Sequence, residues 1–469
     1  MKTFRLSSLL FFGFTSYILA QEPASLVNFS HLDRLTEQIA FYGDTVSIVH
    51  VYANYPDYHW VDANDSGPEG IACVDDAARA AVVFLRHYEL THAASSLTKG
   101  RALLKFVMKM QAEDGEFYNF ILADHAINRK GKTSYKSFGW WAARGVWSMS
   151  LGCRIFKTID PQLSDELRKR VGLTFPYIDE LLKRYDTVKN VGQFRVPQWL
   201  VYQSGADVSS ELMLGLTEYY CATGEERAKD FIKRLADGLR IMQDGNSSTY
   251  PYGLHRSWET MWHMWGNGET QALAYAGTIL NDTVMMRSAE KEAQGFYARL
   301  LIQGFMKEMD VAHPEARVNY EQIAYGVRPM VVGLLRLYDG TKNELYEAMA
   351  GLAASWFFGN NILHEALYDT ATGRGYDGIR DSLTINKNSG AESTIEALHT
   401  LVELDNYPLA KKYSLYTKTK KSSNENYLSA VFAARGGEEL LLVIDLRQSR
   451  VMIFSGKESK QFQEGVKQF

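Results

Sequence analysis

Apolar residues follow two alternating patterns along this chain. One class of segment is apolar on a single face. In residues 226–242, Ala228, Phe231, Ile232, Leu235, Leu239 and Met242 recur at helical spacing, while Lys229, Lys233, Arg234 and Arg240 fall elsewhere. Residues 95–111, 165–186, 283–305 and 343–358 behave in the same way, and Pro176 is expected to break or kink the second of these. The other class is apolar on nearly every side, as in residues 77–85 and much of 273–280. A helix apolar all round is a buried helix. Regular alternation of the two classes predicts inner helices wrapped by an outer layer.

Each inner segment opens on polar or acidic residues. The six openings are Asp75-Asp76, Trp140 to Arg144, Asp207 to Glu211, Gly268-Glu269, Glu321-Gln322 and Ser389 to Glu392. They recur roughly every 50 to 70 residues, which for helix pairs signals a closed or stacked array of hairpins. The predicted fold is therefore all-α, an (α/α)6 toroid with its polar helix starts gathered around one mouth. Asp114-Gly115, Asp244-Gly245 and Asp377-Gly378 mark tight turns expected at the same mouth, since Gly tolerates positive φ and Asp bonds its own backbone. Residues 46–52 alternate weakly like a strand. Past residue 410 the character changes: 411–421 is basic and polar, and 427–434 and 439–455 read as strands. The expected division is a signal peptide over 1–20, the toroid over 21–410, and a short β-rich extension over 411–469.

The signal assignment rests on Lys2 and Arg5, the apolar stretch from Leu9 to Phe14, and small Ala20 before a plausible cut. No later segment reaches the roughly 18 to 20 uninterrupted apolar residues that span a bilayer. An exported protein, periplasmic or secreted, is the expectation. Removing Lys2 and Arg5 takes the formal charge from −4 to −6, which argues against nucleic acid or an anionic membrane as partner. Cys73, Cys153 and Cys221 make neither a disulfide framework nor a metal pattern, and are expected as buried packing thiols.

Two stretches carry a resemblance. Cys73-Val74-Asp75-Asp76-Ala77-Ala78-Arg79-Ala80 and Asn388-Ser389-Gly390-Ala391-Glu392-Ser393-Thr394, with residues 111–120 and Tyr376-Asp377-Gly378, resemble motifs of a bacterial (α/α)6 toroid module often fused to glycosyltransferases. The wider pattern resembles the six-hairpin glycosidases. The resemblance covers roughly residues 65–405 and implies a carbohydrate-processing toroid; no glycosyltransferase segment accompanies it in this sequence.

Glycoside hydrolysis needs one carboxylic acid to protonate the leaving oxygen and a second carboxylate to activate water or attack carbon. The candidates are Asp75, Asp76, Asp207, Glu269, Asp377 and Glu392, with Glu211 and Glu321 beside them. Each has a structural alternative. One of Asp75 and Asp76 is expected to cap its helix, Asp207 reads as an N-cap, and Ser389-x-x-Glu392 has the order of a capping box. Asp377 reads equally as a turn residue. A carboxylate at a helix start feels the positive end of the dipole and suits the base. Asp377, on a loop beside Tyr376, fits the acid better, which must stay protonated. Trp140, Trp141, Trp199, Trp258, Trp262 and Trp265, with Arg144 and His255, form the expected sugar-binding set, although any single Trp can equally be core. The histidines lack metal-ligand spacing, and neither a phosphate loop nor a G-x-S-x-G elbow occurs, so no cofactor or metal is expected.

These residues point to a glycoside hydrolase using a carboxylate pair, with inversion expected. The same fold carries polysaccharide lyases and sugar epimerases, for which Tyr250, Tyr252, His255 and Arg256 are the alternative set. A non-catalytic glycan-binding protein is the third reading.

Overall fold

The structure, a computed structural model, describes residues 25–64 and 67–466. The leader assigned to 1–20 lies outside them. Six inner helices run Val74–Thr91, Trp140–Ile159, Ala206–Thr223, Glu269–Leu280, Ala324–Thr341 and Ala391–Leu404. Each packs against the next, and the sixth packs against the first, which closes the ring. Small residues permit this close approach. At Gly215 a Cβ would meet Trp147 backbone atoms at 2.8 Å, so the second and third inner helices touch backbone to backbone.

Outer helices follow directly. The first, third, fourth and fifth inner helices each end on a left-handed residue, namely His92, Gly224, Asn281 and Lys342. That reversal leads within a few residues into Ala94–Met110, Glu226–Ile241, Thr283–Glu292 and Glu344–Ala354. Asp282 and Asn343 cap two of these outer helices through their side-chain oxygens. The second outer helix is interrupted as expected. Pro161–Gly172 stops, and Phe175–Leu182 restarts with Pro176 in its first turn, where a missing N–H costs nothing. The outer segment of the fourth hairpin continues through a π-helical turn, Ala293–Tyr297, into Ala298–Gln303. In the sixth hairpin the outer helix is only Pro408–Tyr413, and the N-terminal helix Ser30–Leu35 covers the neighbouring face of the sixth inner helix.

The weakly alternating early segment forms two hairpins, Thr36–Phe41 with Asp44–Val49 and Tyr52–Asn54 with His59–Val61. At the C-terminal end, strands Thr417–Ser423, Tyr427–Ala433, Glu439–Asp445 and Arg450–Ser455 build one antiparallel sheet in chain order, followed by helix Gly456–Val466. The sheet packs on Ala298–Gln303, with the Lys418 ammonium donating to the Leu301 and Ile302 carbonyls. Among the described residues no helix is long and apolar enough to cross a membrane. Cys73 and Cys153 are buried as expected; Cys221 is exposed, in the last turn of its helix.

Candidate active site

All six inner helices begin at one end of the ring, and their first turns meet there. Neither Asp75 nor Asp76 caps its helix. Cys73 is the N-cap residue, and both aspartates sit inside the first turn, where they face arginines instead. Asp76 pairs with Arg79 at 2.7 Å and accepts from the Cys73 thiol. Burial pushes the Asp76 carboxyl above its ordinary value in spite of Arg79. Asp75 pairs with Arg144 of the second inner helix at 2.6 Å, and Asn119 holds it from the other side, Nδ2 to Oδ2 at 3.0 Å. Glu392 is likewise not part of a capping box: Ser389 bonds Gly375 and Thr394, and Glu392 reaches Arg79 at 3.0 Å. Asp207 follows the N-cap Gly205 and instead meets His263 Nε2 at 2.9 Å. Asp76 is thus held by an arginine of its own helix, and Asp75, Glu392 and Asp207 by side chains of other elements, with Asp207 Oδ1 also accepting from the Val208 N–H in its own first turn.

The floor beneath them is a charge network that takes in Arg144, expected to bind sugar, and Glu211, a carboxylate candidate. Tyr325, on the fifth inner helix, is its hub. Its hydroxyl accepts from Arg144 at 2.7 Å and donates to Glu211 at 3.0 Å. The guanidiniums of Arg79, Arg144 and Arg328 lie 5.0, 5.1 and 5.5 Å from its ring centre. Arg328 also donates to Glu396 at 2.6 Å and Gln271 at 2.7 Å. Burial alone would lower the Arg79 guanidinium, but Glu392, Asp76 and Glu396 outweigh it and hold it well above its ordinary value. This floor is buried and charged, with Arg144 Nε and Glu211 Oε2 left without a hydrogen-bond partner.

Asp377 occupies one rim. Its backbone is fixed by a three-stranded sheet of Gln322–Ile323, Gly378–Ile379 and Ile385–Asn386, and its own N–H donates to Asn388. Only glycine fits beside it, since a Cβ on Gly378 would meet the Gln322 carbonyl oxygen at 2.2 Å. Ser393 donates to the Asp377 carboxyl at 2.9 Å. Burial, reinforced by Glu392 and Glu321 nearby, pushes that carboxyl up to about 6. Glu392 itself keeps 45% of its side chain exposed, so the two carboxyls border solvent together.

The opposite rim is aromatic. Trp140, Trp258 and Trp265 are partly exposed, with Trp265 6.3 Å from Trp140 and 6.0 Å from Trp258. Exposed Tyr202 accepts from the Trp140 backbone N–H. His263 is stacked on Trp265 at 3.7 Å and lies fully buried beneath it. Beside this rim Glu269 is buried, and its Oε1 has no hydrogen-bond partner. Burial, together with Glu292 and Asp207, raises its carboxyl well above the ordinary range.

Other members of the expected set lie elsewhere. Trp199 is wholly buried with its Nε1 on the Arg234 carbonyl, so it anchors an outer helix. Trp262 is wholly buried in a strand paired with Met309 and packs edge-on against Phe296. Trp141 donates to the Phe117 carbonyl and is 8% exposed. His255 is buried between Glu292 and Ser288, and Arg256 is buried on Asp244. Tyr252 lies under Arg299, 3.7 Å from its guanidinium, and Tyr250 donates to Val311. The alternative set of Tyr250, Tyr252, His255 and Arg256 therefore does not converge on the mouth. Asn119 and Tyr325 do; Asn119 lies within the stretch 111–120 and Tyr325 just after the polar opening Glu321-Gln322.

Among the described residues no cluster of His, Cys, Asp and Glu has the arrangement of a metal site. No protein-family model matches the sequence, and no curated protein matches it. Solved structures do share the fold. A sugar epimerase from a ruminal bacterium aligns with TM-score 0.52 at 12% identity, covering 81% of this chain and 96% of its own. Cellobiose 2-epimerase from Bacillus thermoamylovorans aligns with TM-score 0.53 at 10% identity, covering 80% and 95%. A D-mannose isomerase aligns with TM-score 0.53 at 12% identity, covering 78% and 91%. At these identities the likeness is one of fold. The chain has the (α/α)6 toroid fold that these structures share, with a small C-terminal β-sheet added to it.

Proposed function

We propose that this chain is a carbohydrate-active enzyme, and more narrowly an exported glycoside hydrolase. Asp377 protonates the leaving glycosidic oxygen, and Glu392 serves as the second carboxylate. The observation that carries this reading is a partly buried carboxyl, raised to about 6, near a half-exposed carboxylate at an open mouth. Two titratable groups whose surroundings differ in this way match the acid and base of glycoside hydrolysis. The aromatic rim of Trp140, Trp258 and Trp265 offers ring faces to pyranose C–H groups across from them. Export rests on the leader-like first twenty residues.

The test is reducing-end release from a panel of neutral and uronate-containing glycans. Wild type is expected to release reducing ends, and Glu392→Gln to lose roughly 10²- to 10⁴-fold in kcat, the usual worth of one acid–base group. Nuclear magnetic resonance of the first-formed anomer reads inversion or retention. Trp265→Ala is expected to raise KM about tenfold while changing kcat little, because stacking holds ground state and transition state alike. An equal fall in kcat would remove Trp265 from the binding platform.

A second reading is favoured by three solved structures of the same fold, two sugar epimerases and a D-mannose isomerase. In it, proton transfer at a sugar carbon replaces bond cleavage. The buried Asp207–His263 pair beneath Trp265 is the nearest base of that kind. Solvent deuterium entering a sugar C–H bond without reducing-end release would establish it, and ultraviolet absorbance of an unsaturated uronate would mark a lyase.

A further inference from the structure

Outside the mouth, a groove of about 420 Å³ runs between the outer segment Ala298–Gln303, the loop before Gln322, the segment after Trp356, and the first strand of the C-terminal sheet. Its volume is that of a small-ligand site. Arg317, Lys418 and Lys421 line it, and no Asp or Glu does. None of the three has a carboxylate partner among the described residues. Arg317 bonds only Asn319, and Lys418 donates only to two main-chain carbonyls. Burial draws the Lys418 amine down to about 8, with Lys421 adding like-charge repulsion, and burial likewise lowers Arg317. Buried Arg79, Arg144, Arg256 and Arg328 are paired with carboxylates, and buried Arg299 lies on the Gly295 carbonyl and the Tyr252 ring, whereas here three cations without a carboxylate share one concavity. A protein gains by supplying an anion to such a place.

Of the neutral lining, the Gln322 and Asn360 amides are engaged by the protein itself, and Tyr320 offers a partly exposed ring. The groove also connects to the catalytic rim. Gln322 lines it and pairs in the sheet with Ile379, two residues from Asp377, while Glu321 faces the Asp377 carboxyl. One strand therefore separates the groove from the proposed acid.

We propose that this groove is a secondary binding site for a carboxylate-bearing glycan, a chain of uronate residues, held by Arg317, Lys418 and Lys421. It extends the carbohydrate reading of the mouth by naming the class of sugar, and it rests on that reading only for the continuity of one glycan across both sites. Binding itself is independent of turnover.

The experiment is calorimetric titration of Asp377→Asn protein with tetragalacturonate, neutral galactotetraose and inorganic phosphate, each at low and high salt. Tetragalacturonate is expected to bind at least about tenfold more tightly than galactotetraose, and to weaken as salt rises. Lys421→Glu and Arg317→Glu are each expected to weaken it about tenfold or more, and Lys421→Gln by less. These side chains are at least partly exposed, so the fold does not depend on them. Equal binding of the neutral and charged tetrasaccharides, or an affinity unmoved by both charge reversals, overturns the proposal. Phosphate binding as tightly as tetragalacturonate also overturns it, in favour of a site for a lone anion. Failure of reducing-end release with this binding intact removes the hydrolase and leaves the groove standing.

Discussion

Asp377→Asn protein is expected to lose roughly 10²- to 10⁴-fold in kcat and at the same time to become more stable above pH 6. Both effects come from one displaced titration. The Asp377 carboxyl ionises at about 6 in the fold against an ordinary 3.8. Folding therefore favours the protonated group. That contribution is complete below pH 3.8 and is lost as pH rises through about 6. The difference is worth at most about 3 kcal/mol, and of the order of 1–3 kcal/mol is expected after partial solvation by the open rim. Asparagine keeps the shape and removes the charge. The stability gap between Asp377→Asn and wild type should open in favour of the variant from pH 4 to pH 7, measured by urea unfolding at each pH. As the acid, Asp377 works protonated, so the wild-type rate should fall about tenfold per pH unit above its pKa. A pH-independent stability gap would show that the carboxyl is not displaced. A rate that holds through pH 8 would remove Asp377 from the acid role while leaving the fold untouched.

The toroid was legible because burial writes itself directly into composition. Residues 77–85 are apolar on all sides because they are buried among other helices on all sides, while in 273–280 the burial holds for Leu273, Ala274, Ala276 and Gly277 and Ile279 is exposed. Helix ends were legible for the same reason. Less of the mouth could be read, since what a polar residue does at a helix start depends on partners far off in sequence. Asp76 and Glu392 look like caps locally, yet both are drawn to Arg79, and Glu392 reaches it from 313 residues away. The tryptophans illustrate the converse. Trp262 lies between Trp258 and Trp265 in sequence, but its strand pairing directs it inward, and Trp199 is buried with its Nε1 on the Arg234 carbonyl. Nothing local separates those cases. A signal for the floor did exist and is a matter of spacing. Arg79 and Arg86, Glu211 and Glu218, and Glu396 and Glu403 are each seven apart on all-apolar helices, which places both members of each pair on one face, about 10 Å apart along the axis. Charges on an otherwise buried helix at that interval belong inside the ring.

The second members of those pairs build a network at the end of the ring remote from the mouth, and Glu218→Leu there is expected to destabilise the chain by about 3–5 kcal/mol. Glu218 is wholly buried between Arg86 at 2.5 Å and Arg154 at 2.6 Å, and Tyr275 donates to it at 2.9 Å. Burial works against the charged form, but the two guanidiniums outweigh it and hold the carboxyl below its ordinary value. Leucine removes the anion and leaves two arginines facing one another with Glu89 and Glu403 as their remaining counter-ions. The large cost comes from that uncompensated charge rather than from a lost bond. Removing a cation as well should therefore recover part of it: Glu218→Leu/Arg86→Met is expected to be more stable than Glu218→Leu alone, with a coupling energy of about 1–3 kcal/mol in a double-mutant cycle. Lowering the pH through the depressed Glu218 titration should weaken wild type and leave Glu218→Leu less affected, since the stabilisation from this group is present above 4.5 and is lost below its folded value. Because the pair sits about two helical turns from Glu211, catalysis by protein that remains folded should be unchanged within twofold or so. Independent, additive effects of the two substitutions would mean that water, not Glu218, compensates Arg86, and that the inner ring is open at this end rather than closed by charge.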